Sequence, residues 1–290
     1  MSIGGAIGEI KSENPSLEQV VIENIHAEID ISIEIDEDVY EESTLSGVGG
    51  LISKVFDNYQ IINSSYNGDI NTQATCSGLV LYFDSKFQSV IKNSWAKGNY
   101  ECRSAAGFVG TLGKSIVKDS FSRSTIVSSN DLSLSSPTFT VGFIGEMNHE
   151  DGIIENVYFH GNVTSFAGFA GFAGFAGFAG FAAGLVGKVE AGSIKNSFVV
   201  SEFIQGNNSN TNRMIGLNLN GPGQIINNHF YSGGICYTSF NQTPCPPELN
   251  GIPQGSINYF YNTANSPLLS WSFSNNPWNE AIMDFPYLTN

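Results

Sequence analysis

The chain has 290 residues, with 27 acidic against 12 basic side chains and a formal net charge of −15. This charge excludes a general phosphate-backbone binder, which needs basic stripes to displace counterions, so we predict no nucleic-acid partner. A hydrophobic content of 41% excludes a disordered chain, while 32 glycines favour a turn-rich β protein. No apolar run has the length of a membrane-spanning segment.

A five-residue segment recurs along the chain as a β-branched residue, any residue, an Asn-like residue, any residue and an aromatic residue. The eight copies are centred between positions 24 and 259, a mean spacing of about 34 residues. A second pattern, a glycine followed by two apolar residues and usually another glycine, shares this period. Two patterns with one period indicate a repeat architecture. The copies are, in chain order, Ile22–His26, Ile62–Tyr66, Ile91–Trp95, Val117–Phe121, Ile154–Tyr158, Ile194–Phe198, Ile226–Phe230 and, degenerately, Ile257–Tyr261.

Each copy is predicted to form one strand, because residues i, i+2 and i+4 of a strand share a face. The first, third and fifth residues then face inward, whereas residues such as Lys92 and Ser94 face outward. Equivalent residues of neighbouring repeats would stack as β-branched, amide and aromatic ladders, which requires parallel strands in register. The third-position residues are Asn24, Ser64, Asn93, Asp119, Asn156, Asn196 and Asn228, and the fifth-position aromatics include Tyr66, Trp95, Phe121, Tyr158, Phe198 and Phe230.

These ladders predict an all-β fold, a parallel β-helix (β-solenoid) of about seven to eight coils of roughly 26–40 residues. A helical repeat of similar period is excluded, because Asn, Gly, Ser and β-branched residues dominate. The predicted solenoid covers residues 1–262, with inserts at 28–46, 128–140 and 165–182. Residues 263–290 are predicted to form a C-terminal cap whose indoles cover the last coil. Since the repeat pattern already begins at Gly5, we expect the chain to be part of a longer protein.

The glycine pattern is most regular at Gly107–Gly110, Gly142–Gly145 and Gly184–Gly187, each followed by a segment of the first pattern. In these residues, and over nearly the whole chain, the sequence resembles the GLUG-motif repeats of bacterial and protist surface proteins. The resemblance implies a parallel β-helix and an adhesin-like, cell-surface setting, but the motif is structural and specifies no ligand. The glycines that carry it are Gly107 and Gly110, Gly142 and Gly145, and Gly184 and Gly187.

The four cysteines have no zinc-binding spacing. Cys236 and Cys245 bracket a polar, Pro-containing loop that a disulfide could close. Cys76 and Cys102 are close to one repeat apart, so they could lie on neighbouring coils. The alternative is four reduced thiols.

Two unusual segments are candidates for binding sites. The acidic segment 28–42 lacks the EF-hand pattern, so we interpret it as a strand that buries isoleucine and exposes carboxylates. The Phe-Ala-Gly tract at 166–180 is interpreted as replication slippage that extended a loop, the alternative being an apolar patch for self-association.

No catalytic or cofactor motif is present, so we predict no enzyme, no metal and no cofactor. The expected function is a non-catalytic, extracellular or cell-surface structural or adhesive module. Its partner would be an unidentified surface ligand, protein or glycan, or a second copy. Two alternatives remain open. One is a carbohydrate-binding or polysaccharide-degrading β-helix, which needs an outward row of aromatics with carboxylates, and the other is a self-assembly module that uses the Phe-Ala-Gly tract.

Overall fold

The computed structural model describes residues 2–10, 19–34, 47–56, 58–85, 87–128, 139–166, 181–206, 209–220, 224–239, 241–271, 273, 278–279 and 284–288. Strands dominate these residues, so the all-β prediction is confirmed for them. Two short 3₁₀ helices, Ile257–Tyr261 and Leu268–Ser270, occur near the C-terminus.

The strands in chain order are β1 (Ser2–Gly4), β2 (Ile7–Ile10), β3 (Val20–Glu23), β4 (His26–Glu28), β5 (Ile31–Ile33), β6 (Gly47–Gly49), β7 (Ile52–Val55), β8 (Tyr59–Ile62), β9 (Ser65–Asn67), β10 (Ile70–Ser77), β11 (Val80–Phe83), β12 (Ser89–Lys92), β13 (Trp95–Ala106), β14 (Val109–Leu112), β15 (Ser115–Ser128), β16 (Phe139–Val141), β17 (Ile144–Met147), β18 (Ile153–His160), β19 (Val163–Ser165), β20 (Phe181–Ala183), β21 (Val186–Val189), β22 (Ser193–Lys195), β23 (Phe198–Val200), β24 (Phe203–Gln205), β25 (Thr211–Asn212), β26 (Ile215–Asn218), β27 (Ile225–Ile226), β28 (His229–Tyr231), β29 (Ile235–Tyr237), β30 (Ile252–Gln254), β31 (Trp278–Asn279) and β32 (Tyr287–Leu288).

Parallel pairing links each repeat to the next. A seven-stranded sheet has the order β2-β7-β11-β14-β17-β21-β26, and most other strands belong to a 23-stranded sheet. Strands β31 and β32 form a separate antiparallel pair. The predicted parallel pairing between repeats is therefore confirmed in the described residues. Successive partners in the seven-stranded sheet are Ile7, Ile52, Val80, Val109, Ile144, Val186 and Ile215.

The main core is a continuous cluster of buried side chains to which successive repeats contribute. A disulfide joins Cys76 to Cys102, both fully buried in this core, and a second joins Cys236 to Cys245. The β-branched residues that stack in the main core are Ile22, Ile61, Ile91, Val117, Ile154 and Ile194.

The glycines of the second pattern lie where neighbouring repeats approach most closely. A Cβ atom on Gly107 would collide with the carbonyl oxygen of Gly142, and one on Gly110 would collide with that of Leu81. Neighbouring copies are alike, because Gly142 faces the carbonyl of Gly184 and Gly184 faces that of Arg213. The spacing between backbones therefore requires glycine here, and the second glycines Gly145 and Gly187 have the same kind of neighbour.

The inserts are described only at their edges. Within 28–46, Ile31 and Ile33 pack against the main core while Asp30 and Glu34 are exposed, as the alternating pattern predicts, but Ile29 is exposed against the prediction. The Phe-Ala-Gly tract lies outside the described residues except for Phe166, and the strand β20 that follows it pairs with β16. The degenerate eighth copy, expected as a strand, is instead the 3₁₀ helix Ile257–Tyr261.

Candidate functional site

Seven of the eight five-residue segments contain one residue with a left-handed backbone, which is the third residue in five segments and the second residue, Asn63 or Asn227, in the other two. The φ of this residue lies between 48° and 59° in all seven copies that have it, a conformation that Asn and Asp adopt more readily than other non-glycine residues. Side-chain hydrogen bonds connect some of these residues, from Asn156 Nδ2 to Asp119 Oδ1 at 3.1 Å and from Asn227 Nδ2 to Asn196 Oδ1 at 2.8 Å. The residues are Asn24, Asn63, Asn93, Asp119, Asn156, Asn196 and Asn227.

This left-handed residue shifts the strand alternation by one position, so the predicted inward face is wrong. Val117 lies in the main core and Ser120 is fully buried, whereas Asp119 between them is only partly buried. Phe121 belongs to a second apolar cluster, separate from the main core. The predicted aromatic ladder therefore exists, but it lies on the opposite side of the backbone from the β-branched ladder.

Two copies were also misaligned by one residue. Ser65, not Tyr66, pairs with Trp95, and His229, not Phe230, pairs with Phe198. Asn63 and Asn227 accordingly take the third position in place of Ser64 and Asn228. Tyr66 and Phe230 do lie in the main core, one position further along the strand.

The residue after the left-handed position is a buried serine in several copies, although the fourth-position serines such as Ser94 were predicted to face outward. The amide of Ser64 donates to Ser94 Oγ at 3.2 Å, and the amide of Ser94 donates to Ser120 Oγ at 3.2 Å. Each hydroxyl also donates to the carbonyl two residues earlier, as Ser94 does to Lys92 at 2.9 Å. Further steps of this serine ladder run from the amide of Ile25 to Ser64, from that of Val157 to Ser197, and from that of Ser197 to Asn228 Oδ1.

The aromatic column consists of Trp95, Phe121, Tyr158 and Phe198. Phe121 and Tyr158 stack with centroids 5.0 Å apart at an interplanar angle of 5°, and Tyr158 and Phe198 stack with the same distance and angle. Trp95 stacks on Phe121 at 6.0 Å. Because each ring face lies against the next ring, the column presents ring edges to whatever covers it.

The C-terminal segment, here the described residues from Ile257 to Leu288, covers the aromatic column. Trp271 contacts Phe198 at 5.5 Å between ring centroids, and Trp278 contacts Tyr158 at 5.9 Å and Phe121 at 6.2 Å. The two indoles were expected to cover the last repeat, but they lie along the side of earlier ones. Their neighbours in the second apolar cluster include Phe260, Leu268, Phe285 and Leu288.

Polar contacts fix the C-terminal segment at both of its tryptophans. The indole of Trp271 donates to the carbonyl of Asn196 at 2.8 Å, and that of Trp278 donates to Asp119 Oδ1 at 3.4 Å. Burial raises the pKa of Asp119, although these hydrogen bonds to Asn156 and Trp278 oppose it. The residues with a left-handed backbone thus also provide hydrogen-bond acceptors for the C-terminal segment.

A third polar contact lies around Arg123. Its Nε donates to the hydroxyl of Tyr158 at 2.9 Å, and its Nη1 lies 3.6 Å from the carboxylate of Asp284. The Tyr158 hydroxyl donates to the carbonyl of Pro286 at 2.8 Å. Burial raises the pKa of Tyr158 well above its usual value, so this hydroxyl stays protonated and available as a donor.

The C-terminal end of the repeats is closed by Glu248, a residue that no sequence pattern singled out. Its two carboxylate oxygens accept from the amides of Met214 and Asn250, each at 2.8 Å. In the preceding repeat, the amide equivalent to that of Met214 belongs to Leu185 and donates to the carbonyl of Met214. Glu248 therefore replaces the carbonyl that a further repeat would supply. Burial raises the pKa of Glu248 despite these hydrogen bonds.

No group of three or more His, Cys, Asp and Glu side chains among the described residues could hold a metal ion. None of the helices in this part of the chain combines the length and the apolar character needed to cross a membrane.

Comparison with known proteins adds no relative. No family model matches the chain, and searches of curated proteins and of solved structures found no significant match.

Proposed function

We propose that the chain is a parallel β-helix of the GLUG-repeat type that serves as a non-catalytic structural or adhesive module outside the cell or at its surface. The carrying observation is that equivalent residues pair in parallel from repeat to repeat, as from Ile52 to Val80 to Val109. The serine ladder and the glycine contacts support the same architecture, because both require one repeat to lie directly on the next.

The extracellular setting is supported by the disulfides. Both cysteine pairs are bonded, and disulfides persist mainly in oxidising compartments. The Cys76–Cys102 bond lies in the main core, where it links strands β10 and β13 of neighbouring repeats. A covalent link between repeats suits a module that must withstand the conditions outside a cell.

Brief protease treatment of intact source cells tests this proposal. We expect it to release peptides of this chain, and non-reducing mass analysis to find Cys76 linked to Cys102 and Cys236 linked to Cys245. A cytosolic marker protein serves as the control for cell lysis. Recovery of the chain only after lysis, with four free thiols, would contradict the proposed setting.

A carbohydrate-binding surface is the second candidate, since the aromatic column lies outside the main core beside the carboxylate of Asp119. Sugars stack on exposed ring faces, however, and the faces of Phe121, Tyr158 and Phe198 contact neighbouring rings. A glycan array probed with the full chain and with the Trp95→Ala variant distinguishes the two candidates. Saturable binding that the substitution abolishes, with unchanged circular dichroism, would favour the carbohydrate candidate.

A further inference from the structure

The last described residues of the C-terminal segment contact one histidine of the repeats in addition to Arg123 and Tyr158. His160 is the last residue of β18, and its ring centroid lies 4.5 Å from that of Phe285. Phe285 is 1% exposed. We propose that His160 and Phe285 form an acid-sensitive latch. Acidification charges His160 and releases the C-terminal segment from the aromatic column, while the repeats stay folded.

The environment of Phe285 suits a neutral imidazole. The Phe285 ring packs edge-on against Tyr261 at 4.9 Å and lies 5.9 Å from Tyr158, measured between centroids. The guanidinium of Arg123 lies 5.7 Å from the same ring. Protonation of His160 would place a second cation in this mostly aromatic enclosure.

The charged groups around His160 offset that added charge only in part, since the nearby carboxylate of Asp284 opposes the effects of burial and of Arg123. Arg123 in β15 is the direct strand partner of His160, and Lys97 in β13 is the partner of Arg123. The partner on the other side is Val200. Among the described residues, Asp284 is the carboxylate that faces this group, and it already lies 3.6 Å from Arg123. The hydroxyls of Tyr158 and Tyr261 are neutral at the relevant pH, because burial raises the pKa of both.

The direction of the pH effect follows from linkage. Burial, and secondarily the charge of Arg123, lowers the pKa of His160 from 6.5 to about 4 in the docked state. Between these values the released state binds a proton that the docked state does not, so falling pH favours release, by at most roughly 300-fold. Asp119 acts in the opposite sense, since its raised pKa makes the docked state take up a proton. The observed transition is the balance of the two.

The chain contains its own reporters of this release. Its three tryptophans are Trp95, Trp271 and Trp278, and all three lie in the aromatic column or in the segment that covers it. Trp271 and Trp278 are 5% and 1% exposed. Tryptophan emission and its quenching by acrylamide therefore report on docking, and far-ultraviolet circular dichroism reports on the strands.

The test titrates the full-length chain from about pH 7 to about pH 4. We expect emission to shift to longer wavelength and quenching to increase, reversibly and with unchanged strand dichroism. His160→Phe, which keeps an apolar ring and cannot titrate, should abolish this change, as should His160→Gln if the phenylalanine variant does not fold. Asp119→Asn removes the proton uptake that opposes release, so the C-terminal segment should be released more completely at low pH.

The matched control is His149→Gln, because His149 is solvent-accessible and contacts Asp151, away from the C-terminal segment. The His149→Gln variant should show the same change in tryptophan emission with pH as the unmodified chain. The latch is refuted if the unmodified chain shows no change in emission, or if the His160 variants retain the transition. Simultaneous loss of the strand signal would refute it as well, because release would then not be separable from unfolding.

Discussion

Ser64 and Ser94 connect two neighbouring repeats through a buried hydrogen bond of 3.2 Å from the amide of Ser64 to the hydroxyl oxygen of Ser94. The same hydroxyl donates to the carbonyl of Lys92. The side chain of Ser94 thus accepts from the backbone of the neighbouring repeat and donates to the backbone of its own repeat. A buried amide without a partner costs about 1–3 kcal/mol. The serine ladder thus contributes to the register between repeats in addition to strand pairing.

Replacing Ser94 by alanine should remove this contribution. The amide of Ser64 would lose its acceptor, so we expect Ser94→Ala to lower the free energy of unfolding by about 1–3 kcal/mol in chemical denaturation. Ser32→Ala is the control, because Ser32 is an exposed strand residue, and it should change stability by less than about 0.5 kcal/mol. Equal effects of the two substitutions would show that the ladder does not stabilise the fold.

A substitution at Gly107 tests whether the close approach of the repeats stabilises the fold. Gly107→Ala places a methyl group against the carbonyl of Gly142, so we expect a loss of about 1–3 kcal/mol or more in the free energy of unfolding. Gly255→Ala introduces the same methyl group where no atom lies within 4 Å, and it should be nearly neutral. A Gly107→Ala variant as stable as the unmodified chain would mean that the repeats can move apart without cost.

Asn93 tests whether the left-handed conformation or the amide group explains the asparagine column. With φ at 55°, Asn93→Ala should lose roughly 1–2 kcal/mol, whereas Asn93→Gly should lose much less because glycine adopts this region freely. Thermal denaturation of both variants measures the difference. Lys92→Ala is the control, because Lys92 is the neighbouring residue and has an extended backbone. If the glycine and alanine variants are equally unstable, the amide group rather than the backbone conformation determines the residue.

The repeat period and the parallel pairing could be predicted from the sequence, because two patterns with one spacing leave few other ways to bury the β-branched residues. The inward face could not be predicted by pleat alternation, because a single left-handed residue such as Asp119 reverses which side the next residues face. The alignment failed at Ile61-Ile62 and Ile225-Ile226, where two adjacent isoleucines fit the first position equally well.

The covering of the aromatic column depends on contacts that no local pattern contains. Two tryptophans near the C-terminus indicate a segment that packs on something apolar. Their partners, however, are distant in sequence, with Trp271 bonded to Asn196 across 75 residues and Trp278 to Asp119 across 159. The position of this segment is set by tertiary packing on Phe121, Tyr158 and Phe198, which becomes visible only once the aromatic rings are known to face away from the main core.

Glu248 gives the last prediction, at the end of the repeats. Its carboxylate accepts from the amides of Met214 and Asn250, and glutamine would offer an NH₂ donor to one of them. We therefore expect Glu248→Gln to lower the free energy of unfolding by about 1–3 kcal/mol and to speed hydrogen exchange at the amide of Met214.

The matched control for this prediction is Glu202→Gln, since Glu202 is exposed and should tolerate the change. Unchanged exchange at Met214 in the Glu248 variant would mean that another group closes this end of the repeats. Faster exchange confined to Met214 and Ile215 would instead identify Glu248 as the residue that substitutes for the carbonyl of a further repeat.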